Sequence, residues 1–197
     1  MKNYVVKIFV LFILASLTGC GAMVQSNGYM AVKDPEKTYI PEDGKALVIF
    51  ERTNNHTGSF HSMSIWDITD RDMVVYIGLI SPTMKAAYSV NPGKYNFMAV
   101  FGGGETVMQA EVAADKTYYV MPSYGFGGLQ FIPIKSGESN PVTNKNIGVS
   151  NDKALAWSKK ESTLNSVQTH ISKGIAAWDA LSSMAKEKKT LTLDDGR

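Results

Sequence analysis

The chain has 197 residues, of which 44% are hydrophobic and 19% are charged, with 17 Gly, 7 Pro and a single Cys. This composition excludes a collagen-like, low-complexity or wholly disordered protein, and one Cys excludes an intramolecular disulfide framework. A chain of this length can bury a sizeable apolar core in one domain of ordinary size.

The first residues have the composition of an export signal. A short positive region with Lys2 and Lys7 precedes an apolar run over residues 8–17. A transmembrane helix needs about 20 apolar residues, so this run is too short to predict a lasting transmembrane anchor. Its positive start and short apolar segment are typical of a signal peptide.

The motif behind the apolar run is Leu17-Thr18-Gly19-Cys20, and it resembles the lipobox of bacterial lipoproteins. In that family the Cys thiol receives a diacylglyceryl group, the peptide is cut before the Cys, and the new N-terminus is usually acylated again. The resemblance therefore implies a signal peptide over residues 1–19, cleavage between Gly19 and Cys20, and fatty acyl groups such as palmitate on Cys20. Several acyl chains anchor a protein firmly, whereas one chain alone binds only marginally.

Cleavage would also change the charge of the chain. It would remove two of the 20 basic residues, Lys2 and Lys7, and none of the 18 acidic ones, so the mature protein would be formally neutral. Nucleic-acid binding depends on a basic surplus, and we therefore expect no nucleic-acid partner. Gly21 stands where an Asp would resemble an inner-membrane retention signal. We expect a lipid-anchored envelope protein, in the outer membrane of a Gram-negative host, facing the periplasm or the surface.

The body of the chain begins with a predicted tether over residues 20–44, which is rich in Ser, Asn, Gly, Pro and charges. Residues 45–134 then contain β-rich runs at intervals of about ten to twelve residues, the spacing of an all-β sandwich or barrel. We predict an antiparallel β-sandwich of seven or eight strands. The candidate strands are Lys45–Arg52, Ser62–Ile68, Met73–Ile80, Lys85–Val90, Lys94–Phe101, Thr106–Ala113, Thr117–Pro122 and Leu129–Ile134.

Alternation along three of these runs predicts which side chains face the core. The predicted inward residues are Ala46, Val48 and Phe50, then Met73, Val75, Ile77 and Leu79, then Tyr95, Phe97, Ala99 and Phe101. The segment Asn91-Pro92-Gly93-Lys94 predicts a turn in which Gly93 takes a positive φ.

A second resemblance to a known family rests on the order of three segments in the β-rich part of the chain. Gly44–Arg52, Val90–Tyr95 with its Pro-Gly turn, and Lys116–Val120 are similar to the small transthyretin-like or PEGA-like β-sandwiches of bacterial lipoproteins. The resemblance covers about 90 residues. It implies a sandwich fold with a binding or structural role, and it carries over no catalytic residue.

A linker over residues 135–149 leads to a predicted amphipathic helical region over residues 150–189 and a tail over residues 190–197. One continuous helix over residues 151–188 would be about 57 Å long, so we expect either a break near residue 158 or a helix that projects beyond the sheet. One interpretation is a helix packed on the sandwich, and the other is a helix that binds a protein partner or a second copy of the chain. The candidate interaction residues are Leu164, Val167, Ile171, Trp178 and Leu181.

Candidate metal ligands are sparse. His56 and His61 lie five residues apart, with Asp67, Asp70 and Asp72 downstream, but no third His or Cys is near. A zinc site needs three or four ligands, so we expect no metal, and no cofactor other than the lipid on Cys20. We expect His170 to lie at the boundary of the helix's apolar face.

Two glycine-rich segments have alternative interpretations. The segment over residues 101–105 is followed by a β-like run rather than a helix, which favours a hairpin over a phosphate site. The aromatic segment over residues 124–128 is either an ordinary hairpin or a loop that contacts a ligand. The sequence predicts a non-catalytic envelope lipoprotein with a structural or protein-interaction role. The alternative is a glycan- or ligand-binding protein, or an envelope enzyme, that uses loops 53–72 or 124–128.

Overall fold

The computed structural model describes residues 30–33, 39–52, 62–82, 84–125, 127–139, 147–150 and 152–197. The predicted signal peptide, Gly19, Cys20, His56 and His61 lie outside the described residues, as do parts of the predicted tether and linker.

The described part of the chain is mainly β, with three helices near the C-terminus, as the sequence predicts. The strands are β1 (Met30–Lys33), β2 (Ala46–Glu51), β3 (Met63–Asp67), β4 (Val75–Ile80), β5 (Lys85–Val90), β6 (Gly93–Phe101), β7 (Gly104–Val112), β8 (Thr117–Gly125), β9 (Gly128–Pro133), β10 (Ile147–Ser150) and β11 (Thr190–Leu191). The helices are α1 (Asp152–Ser158), α2 (Glu161–Asp179) and α3 (Ser183–Lys188), followed by a 3-10 turn over Leu193–Asp195.

The strands form two sheets. One has six strands in the order β1-β10-β5-β2-β8-β9, and the other has five in the order β11-β7-β6-β3-β4. Three pairs are parallel, namely β2 with β8, β5 with β10, and β7 with β11. The prediction of a wholly antiparallel arrangement is therefore wrong at these pairs. Because β6 and β7 belong to the other sheet, the chain crosses between sheets before β8 and arrives alongside β2 in the same direction.

The eight predicted strands are present, and their inward residues are largely as predicted. Side chains of both sheets form one buried apolar cluster. It includes Ala46, Val48 and Phe50 of β2, and Phe97 and Ala99 of β6. The rings of Phe50 and Phe97 meet edge to face with centroids 5.1 Å apart, a favourable geometry for aromatic pairs. We conclude that the alternation of apolar residues set these faces.

The prediction for β4 is wrong at its N-terminal end. Met73 lies before the observed start of β4 and is 72% exposed, and Val75, the first residue of this edge strand, is 45% exposed. A register shift in the pairing of β3 with β4 also changes the alternation. Ile77 and Ile80 are buried in the cluster between the sheets, Tyr76 is buried in the cluster beneath the helices, and Leu79 is only partly buried.

Three short strands lie in segments for which the sequence predicts no regular structure. β1 lies in the predicted tether, β10 spans the end of the predicted linker, and β11 lies in the predicted tail. β1 and β10 pair with each other over four residues, and β11 adds two residues to the edge of β7. Strands this short show too few alternating residues for a pattern to be recognised, and backbone pairing alone defines them.

The helical region breaks where expected. α1 ends at Ser158 and α2 begins at Glu161. The apolar side of α2 packs on the face of the five-stranded sheet that points away from the other sheet. There Val167, Ile171 and Trp178 join a second buried cluster with sheet residues that include Trp66, Met98 and Val107. Within the described ranges no helix has the length and apolar character needed to cross a bilayer.

Candidate functional site

A cleft of about 340 Å³ lies between the five-stranded sheet and the N-terminal half of α2. This volume is within the range of small-molecule sites in proteins. The lining residues are Ser64, Trp66, Val100, Trp157, Ser162, Thr163, Ser166, Val167 and His170. The sheet therefore supplies one wall, and α2 with the end of α1 supplies the other.

The spacing of residues along α2 explains the polar wall of the cleft. Ser162, Ser166 and His170 are each four residues apart, and positions four apart lie above one another on a helix. The two serines are exposed, whereas His170 is half-buried. Val167 lies on the adjacent stripe, where its side chain joins the cluster against the sheet. One helix thus presents a polar stripe to the cleft beside its apolar stripe.

Aromatic rings form the apolar wall. Trp66 of β3 is 1% exposed and is the largest fully buried side chain described. Its ring lies 4.8 Å from that of Tyr76 and 6.2 Å from that of Trp157. The rings of Trp157 and Tyr76 are 5.7 Å apart. Because Trp157 stands at the end of α1, the break between α1 and α2 lets this indole line the cleft.

An imidazole and a carboxylate pair at one end of the cleft. His170 Nδ1 lies 2.7 Å from Glu105 Oε2, and the two side chains are 16% and 14% exposed. A carboxylate accepts, so Nδ1–H donates, and this bond sets the orientation of the ring. Nε2 is the ring nitrogen that Glu105 does not contact. Glu105 follows the Gly102-Gly103 turn of the β6–β7 hairpin, where both glycines have positive φ.

The hydroxyl groups of the cleft differ in their hydrogen bonds. Ser64 Oγ accepts from Trp66 Nε1 at 3.2 Å and donates to the Val100 carbonyl at 3.5 Å. Thr163 is 8% exposed, and its hydroxyl makes no side-chain hydrogen bond to another residue in the described ranges. Thr163 lines the cleft, and its hydroxyl can both donate and accept a hydrogen bond there.

These groups can bind a molecule with one apolar face and several hydrogen-bonding groups. His170 is the only ionisable residue among the described lining residues, and it is paired with Glu105. In the part of the chain described, no three His, Cys, Asp or Glu side chains converge on a position that would hold a metal ion.

The predicted interaction residues of the helix lie mainly inside the protein. Val167, Ile171 and Trp178 are buried against the sheet, and Leu164 and Leu181 are half-buried. A partner that used the three buried side chains would have to displace the sheet. The interpretation of a helix packed on the sheet thus accounts for this apolar face.

Of the two predicted loop sites, the range 53–72 contributes Ser64 and Trp66 to the cleft lining, whereas the described residues of 124–128 contribute none. In the first, Asp67 accepts a hydrogen bond from the Tyr88 hydroxyl at 2.9 Å, and burial together with the Asp67 charge raises the pKa of Tyr88. Asp67 also accepts from Thr69, which fixes the β3–β4 turn. Asp70 accepts from the backbone of the same turn. These hydrogen bonds give Asp67 and Asp70 structural roles in the turn.

The second loop is the β8–β9 hairpin, in which Gly125 pairs with Gly128. Tyr124 is 38% exposed, and its ring lies 5.0 Å from that of Phe101 at the tip of the β6–β7 hairpin. The segments over residues 101–105 and 124–128 are therefore neighbouring hairpin ends.

Sequence reasoning identified His170 as a boundary residue but missed its pairing with Glu105, which is 65 residues distant along the chain. It also missed Trp157 and the serine stripe. The repeat of polar residues at positions 162, 166 and 170 was the available signal, since it marks a polar stripe beside the apolar one. No protein-family model and no curated protein matches the chain.

Proposed function

We propose that this protein is a membrane-anchored envelope lipoprotein and that its folded part is a non-catalytic binding module. The resemblance of Leu17-Thr18-Gly19-Cys20 to a lipobox supports the lipid anchor. The single observation that supports the binding role is the cleft between α2 and the five-stranded sheet.

We further propose that the two sheets face each other as a sandwich of the transthyretin-like or PEGA-like kind. The apolar cluster shared by residues of both sheets supports this arrangement. A packed double sheet is rigid, because protein interiors are as dense as organic crystals. Such a scaffold holds the cleft walls in place, and a preorganised site loses less entropy when it binds a ligand.

The polar groups of the cleft favour binding over covalent catalysis. A serine nucleophile must reach a base through a hydrogen bond. Ser64 Oγ instead bonds Trp66 and the Val100 carbonyl. The hydrogen bond of His170 in the described ranges is to Glu105. This pairing orients the imidazole as a donor or acceptor toward a bound molecule.

The second candidate function is contact with a protein partner or with another copy of the chain through the helical region. Leu155 of α1 and Met184 of α3 are 39% and 69% exposed, which favours this candidate. A Leu155→Ser, Met184→Ser double variant should then lose crosslinked species in the membrane while keeping its fold. Unchanged crosslinking would contradict a contact through these side chains.

The anchor is tested by Cys20→Ala in the full chain. We expect loss of metabolic acyl labelling and release from the membrane fraction, because the thiol that carries the lipid is absent. Ser26→Ala, outside the lipobox, is the matched control and should keep both. Retention of Cys20→Ala in the membrane without acyl labelling would contradict the lipoprotein proposal.

A further inference from the structure

We infer that the cleft beside α2 binds a neutral saccharide of one or two rings. This inference rests on the proposed binding function and adds the chemical class of the ligand. It is carried by three features of the cleft: its size, its indole wall and its row of hydroxyl and imidazole groups.

The volume sets the size of the ligand. A cleft of about 340 Å³ lies at the small end of the range for ligand pockets, which is about 300–1,000 Å³. It therefore suits one or two sugar rings better than a folded protein segment. The cleft is open along one side of α2, so a ring could also be the end or a unit of a longer glycan.

The aromatic wall favours a ligand with a flat apolar face. Trp157 is half-buried, and Trp66 and Tyr76 pack against its ring. These contacts restrict the motion of the Trp157 indole. A pyranose ring has C–H groups on one face, and burying that face against an indole removes apolar surface from water.

The polar wall favours a ligand with several hydroxyl groups. Ser162, Ser166 and Thr163 offer hydroxyls that both donate and accept. When His170 is neutral and Nδ1 donates to Glu105, Nε2 accepts a hydrogen bond, which a sugar hydroxyl or amide N–H can donate. Sugars are unusual among small ligands in presenting hydroxyls at the edge and an apolar face on the ring.

The charge of the cleft favours a neutral ligand. Its one ionisable lining residue within the described ranges, His170, is already paired with a carboxylate. An anionic ligand placed beside Glu105 would be repelled, and a cationic one would find no second carboxylate among the described lining residues.

The test measures binding of N,N′-diacetylchitobiose to the full chain, in a detergent that has no sugar headgroup. We expect a saturable change in tryptophan fluorescence, with a dissociation constant of about 1 mM or tighter. The variant Ser166→Leu places a bulky side chain at the mouth of the cleft and should weaken binding at least tenfold. Ser172→Leu is the matched control, since Ser172 is an exposed serine of α2 outside the cleft lining and should bind normally.

A second arm separates a free sugar from a polymer. Cosedimentation with purified cell-wall glycan is expected if the cleft takes units of a chain, and binding of the disaccharide alone indicates a free saccharide. Either result supports the inference. Absence of binding to both probes, or equal weakening by Ser166→Leu and Ser172→Leu, would overturn it. Neither outcome would affect acyl labelling of Cys20. The labelling experiment therefore tests the lipid anchor independently of saccharide binding.

Discussion

The two halves of helix α2 meet the same sheet in different ways. In the C-terminal half, Gly174 lies so close to β7 that a Cβ placed there would be 2.8 Å from Val107 Cγ2, and Trp178 is buried beside it. In the N-terminal half, serines and His170 line an open cleft. A single helix therefore both stabilises the domain and forms the wall of a site. The apolar stripe of α2 holds the helix on the sheet, and the polar stripe faces the cleft.

The largest expected effect comes from truncating Trp178, which is buried in the C-terminal half of α2. Trp178→Ala should lower the free energy of unfolding by about 3–5 kcal/mol, because it leaves a large cavity beneath α2. Chemical denaturation with urea measures this change. Lys173→Ala, at an exposed position of the same helix, should change stability by less than about 0.5 kcal/mol. Similar losses for both variants would contradict the division of the helix.

The next effect concerns the hydrogen-bonded pair of Glu105 on β7 and His170, which lies in the middle of α2. Glu105→Gln should lower the free energy of unfolding by about 1–3 kcal/mol, because a largely buried, charge-assisted hydrogen bond to His170 becomes weaker. The variant should also weaken disaccharide binding, since Glu105 orients the imidazole. Urea denaturation and fluorescence titration give the two values. A stability loss with unchanged binding would show that the pair is structural only.

The variant Gly174→Ala tests how closely α2 approaches β7 at this position. Overpacking against Val107 costs about 1–3 kcal/mol, and higher helix propensity returns about 1 kcal/mol. We expect a net loss of about 1 kcal/mol in urea denaturation. Ala176→Gly, at an exposed position of α2, serves as a control for propensity alone. A stabilised Gly174→Ala would mean that the helix does not contact β7 as closely as described.

The smallest effect is expected in the open half. Ser166→Ala should change the free energy of unfolding by less than about 0.5 kcal/mol, because Ser166 is exposed and truncation creates no cavity. The same variant should weaken saccharide binding a fewfold by removing one hydroxyl. Thermal unfolding and fluorescence titration measure the two quantities. A large loss of stability would indicate that the polar stripe supports the fold rather than a ligand.

Much of the fold could be predicted from local sequence. Alternating residues of β2 and β6 placed Phe50 and Phe97 in the core, and the periodicity of α2 identified Val167 and Trp178 as its apolar face. The pairing of strands could not be predicted this way. The parallel contact of β2 with β8 depends on where the chain crosses between sheets.

The candidate site was less predictable than the fold. Glu105 and His170 meet only because α2 packs across β7, and no local pattern marks Glu105, although His170 continues the polar repeat of residues 162 and 166. Trp157 lines the cleft because α1 ends one residue later. The length of the helical region predicted a break here as one of two alternatives, but the orientation of the indole depends on tertiary contacts with Trp66 and Tyr76.

The most direct test of the account is backbone amide NMR of the full chain in the same type of detergent, titrated with N,N′-diacetylchitobiose. The account predicts saturable shifts at Ser162, Ser166 and His170, with little change over residues 174–179. Shifts confined to residues 67–72 or 124–128, or the absence of any saturable shift, would contradict the assignment of the ligand site to the cleft beside α2.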